Sequence, residues 1–251
     1  MRKILRPVLG LAFLASAAPA FAEDTKPFTV NGTTTLTSDY RFRGISQTNK
    51  GIALQGSMTV THSSGAYASI WGSSIDDYVA NGGDEELDLI AGYKTTVGGT
   101  TFDMGGLYYY YPGSSTGGKK YYSDFLELYG SVAQTFGPAT AKLTANYAPK
   151  QKALTLDKAK LDNLYVNVAL SSPIPNTPFS LSAAVGHTFT KSFLSGGQRY
   201  TDWSLGASYT TGPVTFGLSY VDTSYAKNVL LGRDGRDIAK AGLVGSVGVA
   251  F

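Results

Sequence analysis

Downstream of residue 22, apolar or aromatic side chains return at every second position in about a dozen stretches of roughly ten residues, long enough for a tilted strand to cross hydrocarbon. A period of two marks strands with one apolar face, so the chain reads as all-β. Along AGLVGSVGVAF, Leu243, Val247, Val249 and Phe251 fall on one side, and Gly242, Ser246, Gly248 and Ala250 on the other. Phe179, Leu181, Ala183 and Val185 alternate with Ser180, Ser182 and Ala184. Trp203, Leu205, Ala207 and Tyr209 alternate with Asp202, Ser204 and Ser208, and Ala141, Leu143, Ala145 and Tyr147 with Lys142, Thr144 and Asn146. The 30 glycines, 17 tyrosines and 12 phenylalanines suit strands and tight turns. A soluble sandwich could use the same alternation by turning the apolar face inward, so the termini and connections must discriminate.

The first 22 residues, MRKILRPVLGLAFLASAAPAFA, combine a cationic start, a short apolar centre and the small-x-small run Ala20, Phe21, Ala22. That is the pattern of an export signal cleaved after Ala22, leaving residues 23–251 as a single domain. Arg2, Lys3 and Arg6 leave with the leader, which brings 21 basic residues down to 18, equal to the 18 acidic ones. No polyanion-binding bias remains, and a nucleic-acid partner is not expected. An exported chain without cysteine cannot draw on disulfides. A closed hydrogen-bonded sheet would supply the stability instead.

Connections alternate in length. Short turns are read at Ser63–Gly65, Val97–Gly99, Phe136–Pro138 and Thr211–Pro213, with the longer Pro173–Pro178 in the same set. Between them fall longer loops at Gly44–Lys50, Asp76–Asp84, Pro112–Lys120, Pro149–Lys160, Lys191–Arg199 and Thr223–Ala239. Six long and five short connections make eleven, hence about twelve strands. Short periplasmic turns, long outer loops and an even strand number are the habits of an outer-membrane barrel with both ends in the periplasm. The expected fold is therefore a transmembrane antiparallel up-and-down β-barrel. Tyr40, Phe42, Tyr147, Trp203, Tyr209 and Tyr220 fall near strand ends on the apolar phase, where interfacial girdles belong.

The segment Leu36–Thr48, LTSDYRFRGISQT, resembles the opening signature of the TorF-type family of proteobacterial porin-like proteins, through Ser38, Asp39, Tyr40, Phe42, Arg43, Gly44, Ser46 and Gln47. The acidic stretch Glu86–Lys94 and the aromatic-ending final strand extend the likeness along the chain. The resemblance implies an outer-membrane barrel with a pore role and no agreed substrate. A terminal Phe251 on an amphipathic strand likewise resembles the address read by the outer-membrane barrel assembly machinery.

With the apolar phase against lipid, the opposite phase holds Asp39, Arg41 and Arg43 on the first strand and Glu86, Asp88 and Lys94 on the fourth. Glu127, Lys142 and Asp202 join them from the sixth, seventh and tenth. A lysine or arginine facing lipid at the midplane costs about 2–4 kcal/mol, so this segregation is what a membrane barrel demands. These nine residues are the candidate lumen lining, seen by small hydrophilic solutes diffusing passively. Lys150, Lys152, Lys158 and Lys160 on one outer loop, with Arg233 and Arg236 on another, are candidates to meet lipopolysaccharide phosphates or to attract anionic solutes. Two other readings stand beside the porin. One is a structural or adhesive barrel with a filled lumen and working outer loops. The other is an outer-membrane lipase using His187 with Thr188 or Ser192 nearby. His62 and His187 fall at opposite barrel ends, and no H-E-x-x-H or phosphate-binding loop occurs, so neither an enzyme nor a cofactor or metal is expected.

Overall fold

The computed structural model describes residues 27–116, 119–120 and 122–251; the leader lies outside them. Twelve antiparallel strands close into a barrel: β1 (Phe28–Thr37), β2 (Ala53–His62), β3 (Ala66–Ser74), β4 (Glu85–Val97), β5 (Thr100–Tyr110), β6 (Phe125–Phe136), β7 (Ala139–Ala148), β8 (Asn163–Pro173), β9 (Phe179–Thr188), β10 (Tyr200–Thr211), β11 (Val214–Thr223) and β12 (Gly242–Ala250). Each strand pairs with its sequence neighbours, and β1 pairs with β12 to close the ring. At that seam Gly32 and Phe251 exchange backbone hydrogen bonds of 2.8 and 3.0 Å. Short turns and long loops alternate as the sequence reads them, so one barrel end is all turns and the other all loops.

The alternation is expressed as two opposite surfaces. Outside stand Phe28, Leu54, Met58, Leu128, Leu205 and Leu243, with Leu205 62% exposed. Water would not tolerate such a continuous apolar band, whereas acyl chains would. Trp203, Tyr209, Tyr147 and Tyr220 share this outer phase near strand ends. Inside, Glu86, Asp88, Glu127 and Asp202 are buried.

The first long loop departs from expectation. β1 stops at Thr37, so Asp39, Arg41 and Arg43 are not on the first strand. They belong to a tight hairpin in which Arg41–Phe42 pairs with Ile45–Ser46. Its two central residues, Arg43 and Gly44, have φ of 49° and 82°, the left-handed pair that a type I′ turn requires. Glycine accepts that conformation without a Cβ penalty, and Arg43 is held in it by its side-chain partners. The hairpin folds into the barrel instead of continuing its wall. Tyr40 and Phe42 therefore face inward and are not girdle residues: Tyr40 is buried and packs edge-on against Trp71 at 5.4 Å, and Phe42 against Tyr109 at 5.9 Å. Aromatic rings that would be neutral against lipid gain more by filling the loop-side interior, where Tyr109 also stacks on Phe125 at 4.1 Å.

Candidate functional site

The inserted hairpin is built around charge pairs that are buried away from water. Asp39 and Arg41 meet at 2.5 Å with side chains 6% and 2% exposed. Asp39 also accepts from the Ser46 hydroxyl at 2.6 Å, so both of its oxygens are engaged. The Arg41 guanidinium donates onward to the carbonyls of Gly44, Ile238 and Lys240, which ties the hairpin to the last outer loop. Ser38 anchors the base, exchanging bonds with Gly245 across the β12 seam.

Arg43, at the hairpin tip, reaches the far wall. Its guanidinium donates to Glu127 on β6 at 2.6 Å and to Asn163 on β8 at 3.0 Å, and lies over the rings of Phe42 at 4.7 Å and Tyr165 at 4.3 Å. Glu127 accepts in addition from Tyr109 and Asn146, both at 3.2 Å. A buried ion pair is tolerable only when its remaining lone pairs and protons are satisfied in this way. Tyr40 donates to Glu86 at 3.0 Å, Tyr165 to Asp202 at 3.1 Å, and Tyr200 to the Arg43 carbonyl at 3.0 Å. Above the hairpin, Tyr78 donates to the Ser46 carbonyl, and burial pushes its hydroxyl pKa up to about 12. Asp88 sits beside this network, fully buried, with neither carboxylate oxygen hydrogen-bonded.

Of the nine lumen candidates, the structure gathers Asp39, Arg41, Arg43, Glu86, Asp88, Glu127 and Asp202 in the loop-side half. Lys94 and Lys142 point inward from the other half, three positions from the turn-side ends of β4 and β7. Sequence reading missed Asp103 on β5, whose carboxylate accepts from Tyr67 at 2.7 Å, and the partners Asn163, Tyr165 and Tyr200. The signal was present: all four stand on the polar phase of their strands, as Asn163 and Tyr165 do in alternation with Leu164 and Val166.

The outer-loop candidates divide. Lys150, Lys152, Lys158 and Lys160 are exposed, and Lys152 lies over the Tyr122 ring at 4.1 Å. Arg233 instead pairs with Asp77 of the second outer loop, while Arg236 pairs within its own loop with Asp234 at 2.8 Å and donates to the Asn49 carbonyl of the first loop at 3.2 Å. His187 bonds Thr201 at 2.8 Å and sits edge-on to Phe189, while Ser192 is bonded by Asn163. His62 bonds Ser64 at the opposite end.

A family model described as a bacterial protein of unknown function, Gcw_chp, matches residues 21–251. The chain belongs to the Gcw_chp family. No curated protein matches it by sequence. Among solved structures this Gcw_chp barrel is similar to the NanC porin, at 12% identity and a TM-score of 0.55, over 89% of this chain and 99% of that one. It is equally similar to an outer-membrane channel from Pseudomonas putida F1, at 9% identity and a TM-score of 0.55, over 92% and 99%. At such identities the likeness to this porin and this outer-membrane channel is one of fold.

Proposed function

We propose that this Gcw_chp protein is an outer-membrane porin-like barrel, not an enzyme, that passes small hydrophilic solutes by diffusion and is constricted by its first-loop hairpin. The reading rests on one observation above others: an apolar exterior encloses an interior that is packed at the loop end yet only half-buried toward the turns. In this reading Lys94 and Lys142 meet the solute directly. Glu86, Asp88, Glu127 and Asp202 lie buried around the hairpin of Asp39, Arg41 and Arg43 that narrows the passage, and together these charges set the local field. The leader 1–22 directs export, both termini lie in the periplasm, and the strand ending at Phe251 is presented to the assembly machinery. Lys150, Lys152, Lys158 and Lys160, with Arg233 and Arg236, face lipopolysaccharide. The TorF-type likeness belongs to the same proposal, since Ser38, Asp39, Tyr40, Phe42, Arg43, Gly44 and Ser46 are the residues that build and seat the hairpin.

The tightness of the loop-side packing favours one other reading, a structural or adhesive barrel whose outer loops do the work. Tyr109 and Glu127 are 2% and 0% exposed, as in a filled core. Planar-bilayer recording and liposome swelling with solutes of graded size separate the two. Stepwise conductance that shifts when Arg43 is neutralised supports the porin; a silent bilayer and unswollen liposomes support the filled barrel.

A further inference from the structure

Below the hairpin the interior is asymmetric. On the wall from β3 to β7, Tyr67, Lys94, Asp103, Tyr129 and Lys142 project inward, all but Asp103 only partly buried. The facing wall from β9 to β12 carries short polar residues on the same phase, Ser182, Ser204, Ser219 and Ser246 among them. Long side chains thus stand opposite short ones in an interior that is only partly buried toward the turns and is narrowed toward the loops by the hairpin. Charge there is unbalanced. Lys94, Asp103 and Lys142 each lie three positions from a turn-side strand end, and Lys142 is within electrostatic reach of the other two. Asp103 is engaged by Tyr67, Tyr67 and Tyr129 are hydrogen-bonded to each other, and the Lys94 ammonium stands 5.9 Å from the Tyr67 ring. Among the described residues neither lysine forms an ion pair.

The geometry points to a binding site in the turn-side half of the barrel for a small hydroxylated carboxylate, its anionic end held by Lys94 and Lys142 and its hydroxyls by the serine wall. It deepens the porin reading, on which its access route rests, by naming the solute class. Two ammonium groups against one carboxylate leave a single excess positive charge, which matches a monoanion, and Asp103 opposes a second negative charge. Lysines bind as point charges on flexible stems and impose no bidentate geometry, which suits a carboxylate on a variable chain. The facing serines offer both donors and acceptors.

Calorimetric titration of the full chain in detergent micelles, with potassium gluconate at constant ionic strength, tests this. Saturable binding is expected, with glucose and glucosamine failing to bind and chloride competing only weakly. Lys94→Gln with Lys142→Gln should weaken gluconate binding at least tenfold, Lys94→Arg with Lys142→Arg should retain it, and Lys191→Gln, exposed on an outer loop, should leave it unchanged. No gluconate binding by the native chain, equal binding of glucose, chloride competing as well as gluconate, or an unaffected Lys94→Gln, Lys142→Gln variant that keeps the heat-modifiable mobility of a folded barrel overturns the site. Bilayer recording on the same preparations keeps the two readings apart: conductance without gluconate binding defeats the site and spares the porin, whereas binding in a silent barrel does the reverse.

Discussion

Arg43 and Glu127 lie 84 positions apart in sequence and meet at 2.6 Å inside the barrel, with side chains 7% and 0% exposed. The pair fastens a loop that begins beyond β1 to the far wall at β6. Arg43→Ala leaves the Glu127 carboxylate buried without its cation, a loss of about 3–5 kcal/mol for a pair of this kind. The hairpin should leave its seat while the barrel stays closed. Limited proteolysis should then cut within residues 38–52 with the heat-modifiable band intact, and single-channel conductance should rise. A hairpin as resistant as the native one would show that Arg43 does not hold it.

Gly44→Ala should release the same hairpin without altering any charge. A Cβ at this position would stand 2.5 Å from Cγ2 of Thr223 and 2.9 Å from Cβ of Asp202, on a backbone already at φ 82°. Strain and overpacking together cost about 1–3 kcal/mol. Agreement between the protease patterns of Gly44→Ala and Arg43→Ala would assign both to seating of the hairpin.

Gly186 on β9 lets Tyr165 lie flat across the neighbouring strand, and a Cβ there would come 2.5 Å from Cζ of that ring. Gly186→Ala should displace Tyr165 from both Arg43 and Asp202, lowering stability by about 1–3 kcal/mol. Thermal unfolding in detergent reads this directly. Tyr165→Phe, which keeps the ring under Arg43 and loses only the bond to Asp202, should cost less.

Adjacent residues on β10 test which face meets lipid. Leu205→Arg would bring a charge to the exterior and should cost up to about 2–4 kcal/mol when refolding into vesicles is followed against urea. Ser204→Arg, one position earlier and facing the interior, should cost clearly less. Equal penalties would mean that the outer face is not in hydrocarbon.

Replacing Lys150, Lys152, Lys158 and Lys160 with Gln should weaken association with lipopolysaccharide-containing vesicles, most visibly at low salt, because these four ammonium groups are solvent-facing and screened by ions. Co-sedimentation at two ionic strengths checks it. Neutralising Arg233 and Arg236 should instead loosen the outer loops, since the two arginines tie the last loop to Asp77 and to the Asn49 carbonyl.

Strand number, turn positions and the two faces of the sheet were legible because a membrane barrel enforces strict alternation, and Leu205 beside Ser204 shows how sharply it is kept. The hairpin was not legible. Ser38 to Phe42 continues the alternation of β1, and the local mark of a reversal is Gly44 alone. That the loop turns inward depends on Glu127, Asn163 and Trp71, residues from three other strands that no local pattern connects to it. Tyr40 and Phe42 were misplaced for the same reason, since an aromatic on an alternating run serves a girdle or a core equally well. Asp103 was overlooked although its phase gave it away, a charge between Phe102 and Met104 having nowhere to go but inward.

The seam between Gly32 and Phe251 carries a consequence for biogenesis. Joining the first strand to the twelfth means that no partial polypeptide can complete the ring: until both have arrived, the growing sheet exposes two ragged edges ready to template on a neighbour. Closure is thus the final event of assembly, and a nascent barrel needs shelter until the polypeptide has been delivered through its twelfth strand.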